Sequence, residues 1–199
     1  MSKRAALAAG AVIVAIGAAG CGASSSAGGG QASKPSNTNA PEVNPAGDIP
    51  DNQAYVAYAP PGGGFTVKVP EGWSRSNAAG FVVFTDKLNA IGIESKAARA
   101  PLSAGQARRV ELPKLATSVN GFQAGTVSTV ARKAGTAVRI TYLAKAKTDP
   151  VTGKTGQDAV ERYVFFHNGK DIILTLSGPK GADNVDPWKI VTDSVTWAP

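Results

Sequence analysis

The dipeptide Asn168-Gly169, set between two runs of β-forming residues, constrains the fold of this chain more than any other stretch. Asn-Gly tolerates the positive φ angles of a type I′ turn, so the flanking runs form a hairpin. A two-residue turn fixes the register, and a slip by one residue would reverse every side chain. Phe166 is therefore expected opposite Asp171, and Phe165 opposite Ile172. Tyr163 and Phe165 then share a face with Ile172, Leu174 and Leu176, while Val164 and Phe166 share the other with Ile173 and Thr175. The first face is the more apolar and is expected to lie against helices.

This hairpin closes a longer series. Residues 126–131, 136–145, 157–167 and 171–177 read as four consecutive strands. Earlier in the chain, residues 54–58 and 65–69 form strands separated by Pro60-Pro61 and Gly62-Gly63-Gly64, which force a turn. Phe65, Val67 and Val69 alternate with Thr66 and Lys68, the period-two pattern of a half-buried strand. Residues 80–85 and 90–95 make a further pair, joined by Asp86-Lys87-Leu88-Asn89.

Two helical regions interrupt the strands. Ser103 with Gln106 three residues later is a capping box. Pro113 reads as the first residue of a second helix, since proline is tolerated where the N–H has no partner. Leu112, Leu115, Ala116 and Val119 lie at helical spacing, and Asn120-Gly121 ends the run. Near the C-terminus, Asp186 as cap and Pro187 as first helical residue precede a stripe of Trp188, Val191 and Val195. Antiparallel strands interrupted by helices define an α+β fold: one sheet of about six to eight strands with helices packed on one face.

The 199 residues allow one such domain with appendages. The domain is read as residues 54–199, and the appendages lie before it. Lys3-Arg4 followed by the apolar run 5–19 is a signal sequence, too short for the roughly 20 residues of a spanning helix. It ends Ala18-Ala19-Gly20-Cys21, and Cys21 is the only cysteine. Residues 1–20 are thus expected to be removed and Cys21 to carry lipid, although Ala18 stands where such motifs most often have Leu. Plain secretion and an uncleaved anchor are the competing readings. Residues 21–53 are expected to be a disordered tether rich in Ser, Gly, Pro and Asn, with Val43 and Ile49 its only large apolar residues. Its 32 residues after Cys21 would span roughly 30 Å as a coil and about 105 Å drawn out.

Charge and motif content narrow the function. From residue 54 there are 18 basic and 11 acidic residues, a net of +7, spread without a basic block. That distribution and the export signal argue against nucleic acid. Weak attraction to an anionic membrane surface or envelope polymer is a better reading than nucleic acid, and a solvated surface merely kept soluble by its charge is favoured over it. No metal or cofactor is expected. His167 is the only histidine, and as a turn residue it is expected to face solvent. The stretch Gly153-Lys154-Thr155 lacks the first glycine of a phosphate loop, where Thr148 stands, and reads as a hairpin loop with Asp149-Pro150. Asp158 and Glu161 differ in strand parity and point to opposite faces. No catalytic residue is assigned. All 13 aromatic residues lie beyond residue 54. Most must be core; Trp73 and Tyr142 are either core or the lining of a ligand cleft or partner surface.

Three pieces carry a family resemblance: Gly64-Phe65-Thr-Val-Lys-Val-Pro70-Glu-Gly-Trp73, the hairpin Tyr163–Phe166 with Ile172–Leu176, and the helix Trp188–Val195. Over residues 54–199 the chain resembles the PsbP-like superfamily, in particular its actinobacterial lipoproteins of the LpqN type. The resemblance implies an α/β/α sandwich and a non-enzymatic binding or assembly role, which the signal sequence and Cys21 would place on the outer face of the cell membrane. Its partner would be a protein, an envelope polymer or a small ligand. No ligand set for the metals of the plant members is present. A small envelope hydrolase and a transporter-accessory solute binder remain the alternatives.

Overall fold

The computed structural model describes residues 46–78, 81–148 and 153–198. Cys21, the signal sequence, most of the tether and Asp149-Pro150 lie outside them. Among the described residues, ten strands form two antiparallel sheets. The smaller has the order β1 (Tyr55–Tyr58), β2 (Phe65–Pro70), β10 (Thr196–Trp197). The larger has seven strands in the order β3 (Ser74–Ala78), β4 (Phe81–Thr85), β5 (Ala90–Ala97), β9 (Lys170–Pro179), β8 (Gln157–His167), β7 (Gly135–Lys145), β6 (Gln123–Arg132). This is an α+β fold, as expected, but the first hairpin leaves the main sheet and packs over it as a second layer.

The β8–β9 hairpin has the predicted register. Phe166 faces Asp171 and Phe165 faces Ile172. Asn168 and Gly169 both have positive φ, 45° and 75°, which is the type I′ geometry. The face carrying Tyr163, Phe165, Ile172, Leu174 and Leu176 is the centre of the main core. Phe65, Val67 and Val69 of β2 close over it from the small sheet, and Trp188, Val191 and Val195 close beside them. Thr66 and Lys68 point outward, so the alternation along β2 is complete.

Helices cover both faces, not one. On the opposite face, Val138, Ile140 and Tyr142 of β7 and Val160 of β8 form a second core under Ala107, Leu112 and Leu115. The reason is that Val138, Ile140 and Tyr142 alternate along β7 and make its even face apolar, so that face cannot be left to water. The capping box of Ser103 and Gln106 starts the helical run as predicted. Pro113, however, does not begin a separate helix. α1 (Ala104–Gln106) continues through a π-helical turn, Ala107–Glu111, into α2 (Leu112–Ser118). The wider turn, closed by the Leu112 amide donating to the Ala107 carbonyl, makes room for the Pro113 ring where the helix loses one donor.

The C-terminal helix α3 (Val185–Asp193) is capped at Asn184, with Asp186 inside its first turn rather than at the cap. Asn184 instead binds elsewhere. Its Oδ1 accepts from the Ile49 amide at 2.8 Å, and its Nδ2 donates to the Gly47 carbonyl at 3.0 Å and to Asn89 Oδ1 at 3.0 Å. Ile49 is 4% exposed and belongs to the main core. Residues 46–53, assigned by sequence to the tether, therefore pack on the domain: the one large aliphatic side chain there has a place to be buried. Strand β6 begins three residues before its expected start and contains a bulge between Ala124 and Val127. Gly125 sits in that bulge, where a Cβ would lie 2.4 Å from Thr141 Oγ1.

Candidate functional site

The outer face of the small sheet and the exposed side of α3 border a groove of about 860 Å³. Sheet pairing builds it. Thr196 pairs with Thr66 and Trp197 with Phe65, which brings the last strand beside β2 and its indole beside the β6–β7 turn. Trp197 Nε1 donates to the Ala134 carbonyl there at 2.9 Å. Tyr55, Ile190 and Trp197 supply apolar surface, and Ile190 is 44% exposed. Lys68, Lys133 and Asp186 stand around it, with no ion pair among the described residues. The groove's volume is within the range of small-ligand sites, roughly 300–1,000 Å³.

One wall is stiffened by an ionic network that reaches into the main core. Asp193 pairs with Lys189 one helical turn away and with Arg132 at 3.8 Å. Arg132 also donates to Thr192 Oγ1 at 2.8 Å and to the Tyr163 hydroxyl at 3.1 Å. The Tyr163 hydroxyl donates to Glu161 Oε2 at 2.5 Å, and Glu161 in turn faces Arg139 at 3.6 Å. The Lys189 hydrogen bond, then the charges of Lys189 and Arg132, hold the Asp193 carboxyl below the usual carboxylate range. Burial, with the bond to Glu161, pushes the Tyr163 phenol up.

The groove offers little for bond-breaking chemistry. Its hydroxyls are already used: Ser194 Oγ donates to the Val191 carbonyl at 2.6 Å and accepts from the Lys68 amide at 2.7 Å. Thr196 Oγ1 donates to the Ser194 carbonyl at 3.3 Å. His167 lies outside the groove lining, half-buried with its ring stacked on Trp197 at 4.5 Å and 7°. It is thus less open than a solvent-facing turn residue, because β10 brings an indole against it. Among the described residues no three His, Cys, Asp or Glu side chains converge as metal ligands.

The structure does not bring the sequence candidates together. Trp73 is half-buried against the main core. Tyr142 is 7% exposed in the second core and packs on Phe122 at 5.3 Å, and burial pushes its phenol up. The ring is thus core rather than surface, and neither residue lines the groove. Asp158 and Glu161 take opposite faces of β8, as expected: Glu161 sits with Tyr163, and Asp158 shares the parity of Val160. Sequence reasoning missed the groove, whose lining comes from five separated segments. Ile190, apolar yet off the Trp188–Val191 stripe, was its one visible sign.

No protein-family model and no curated protein sequence matches this chain. Its likenesses are to solved structures. The cyanobacterial PsbP protein, CyanoP, from Synechocystis sp. PCC 6803 superposes with a TM-score of 0.54 at 14% identity, over 76% of this chain and 98% of that one. The chain therefore has a PsbP-like fold, and at that identity the fold alone is shared. The Ran-binding protein Mog1p of Saccharomyces cerevisiae gives a TM-score of 0.48 at 12% identity, over 73% of this chain and 96% of that one. LpqN of Mycobacterium tuberculosis, described as involved in cell envelope biogenesis, gives 0.40 at 15%, over 75% and 87%.

Proposed function

We propose that this chain is an extracytoplasmic lipoprotein, anchored through Cys21, whose PsbP-like domain binds a partner without catalysing a reaction. The observation that carries the binding reading is the groove over β2, β10 and α3. It combines exposed apolar surface with unpaired lysines, and its hydroxyls are tied into the backbone. The anchor is supported by the apolar run ending Ala18-Ala19-Gly20-Cys21 and the tether composition after it. Removal of residues 1–20, a tether from 21 and a domain completed at the C-terminus are part of the same reading.

The test is site-directed photocrosslinking in intact cells from position 190. The expected result is a discrete adduct that disappears when Lys133→Glu is added. Adducts from position 110, on the helical face, with none from position 190 would remove the groove from the account. Thermal melting of both variants controls for folding, which is expected to be unchanged because both side chains are exposed.

A further inference from the structure

Among the described residues the two most exposed large apolar side chains are Val185, at 73%, and Leu88, at 47%. They are far apart in sequence, and neither lines the groove over α3. The fold brings them to one corner. Leu88 lies in the β4–β5 turn and Val185 opens α3. Their chain neighbours are bonded to each other: Asn184 Nδ2 donates to Asn89 Oδ1 at 3.0 Å. The same corner is where the chain enters the domain. Asn184 Nδ2 also donates to the Gly47 carbonyl at 3.0 Å, and Asn184 Oδ1 accepts from the Ile49 amide at 2.8 Å. Gly47 has a φ of 100°, and a Cβ there would lie 2.5 Å from Pro179 Cγ.

Side-chain bonds hold the segments of this corner in place. Asp86 Oδ1 accepts from the amides of Leu88 at 2.7 Å and Asn89 at 2.6 Å, which fixes the β4–β5 turn. Asp48 Oδ1 accepts from the Asp183 amide at 2.9 Å, which ties the entering segment to the loop before α3. The remaining exposed charges balance: Lys87 and Lys180 stand against Asp183 and Asp186. Charge therefore does not select a partner here, and the aliphatic pair is what the corner offers. Single exposed aliphatic side chains are ordinary, but two at the point where the chain enters form a patch. Such a patch suits the boundary between lipid headgroups and acyl chains, with neighbouring lysines kept at headgroup level. Cys21 precedes Ala46 by 25 residues. A lipid on Cys21 would hold this corner at high effective concentration over the bilayer, so that two side chains suffice for contact.

We propose that this corner is a membrane-contact surface, with Leu88 and Val185 entering the boundary between phospholipid headgroups and acyl chains beside the incoming chain. The proposal rests on Cys21 as the point of attachment and not on the groove over α3. The test uses the full chain with Cys21, the only cysteine, coupled to maleimide-bearing phosphatidylethanolamine in palmitoyl-oleoyl phosphatidylcholine vesicles. Benzoylphenylalanine replaces Leu88, Val185 or, as control, Val110, which is 44% exposed on the π-helical turn. Irradiation should give lipid adducts from positions 88 and 185 at about tenfold the yield from 110, the scale of taking one aliphatic side chain out of water. With the probe at 88, Val185→Asp should bring the yield down to that from 110 and leave the melting temperature unchanged. Equal yields from the three positions, a yield from 88 unmoved by Val185→Asp, or crosslinks to a second copy of the chain in place of lipid would each overturn the proposal. Because the lipid is attached chemically, this outcome is distinct from acylation in cells. Fatty-acid label on Cys21 without lipid adducts from 88 or 185 removes the corner alone, and adducts without label remove the anchor alone.

Discussion

The two faces of the seven-stranded sheet differ in how they are closed. One is sealed by a strand layer and α3 around Leu174, Leu176, Phe165 and Tyr163. The other is covered by α1 and α2 only over β6, β7 and β8, leaving a shallow cavity of about 270 Å³ over Gly92, Thr175 and Ser177. Stability is concentrated on the sealed face. The open parts of the molecule, where a ligand could enter, are the edges of the small sheet and this uncovered strip.

The largest effects are expected in the cores. Leu174→Ala on the sealed face should cost about 4 kcal/mol, because a fully buried leucine with partners on every side leaves a cavity that cannot collapse. Ile140→Ala, equally buried in the smaller core, should cost about 2–3 kcal/mol, because a short helix can shift onto the space. Denaturant midpoints measure both, and a larger loss at Ile140 would reverse the ranking of the faces. Arginine removals sharpen the contrast at smaller scale. Arg132→Ala, which strips Asp193, Thr192 and Tyr163 of a shared donor, should cost about 2–3 kcal/mol. Arg162→Ala on the open face, bound to Thr175 and a third-exposed Glu94, should cost about 1 kcal/mol.

The smallest effects are in pH dependence, where two carboxylates shift in opposite directions. Asp193 is held below its ordinary value by Lys189 and Arg132, so its contribution is present above the unfolded carboxylate pKa, about 3.9, and is lost as pH falls below it. Asp193→Asn should lower the melting temperature at pH 7 and change it little at pH 2. Asp171 is raised by burial, with Lys96 opposing and Glu111 and Glu94 adding to the rise. Its ionised form therefore costs stability above the folded pKa, and the cost is relieved as pH falls. Asp171→Asn should raise the melting temperature at pH 7 and leave it unchanged at pH 2. Melting curves of both variants moving the same way at pH 7 would contradict these assignments.

Much of the fold is legible where local chemistry is decisive. Asn168-Gly169 sets the register of β8 and β9, the alternation at Phe65–Val69 sets the inner face of β2, and Ser103 with Gln106 sets a helix start. What the sequence hides is non-local. β3 reads Ser-Arg-Ser-Asn-Ala, with no apolar alternation, because as the outermost strand it pairs only with β4. β10 is two residues long and exists because Thr66 and Phe65 are there to pair with it. Nothing local tells that β1 and β2 leave the main sheet, nor that the Pro113 region widens into a π turn. Ile49 was visible as an isolated apolar residue, but its pocket beside Asn184 was not. The groove depends on the sheets being layered, so it could not be read before the layering was known.

We propose above that Cys21 ties this domain to the outer face of a membrane. Metabolic labelling with an alkynyl fatty acid, followed by fractionation of cells carrying the natural chain and Cys21→Ser, tests it directly. Label and membrane retention are expected for the natural chain, and loss of label with release or altered processing for Cys21→Ser. Equal membrane retention of the unlabelled variant would contradict it.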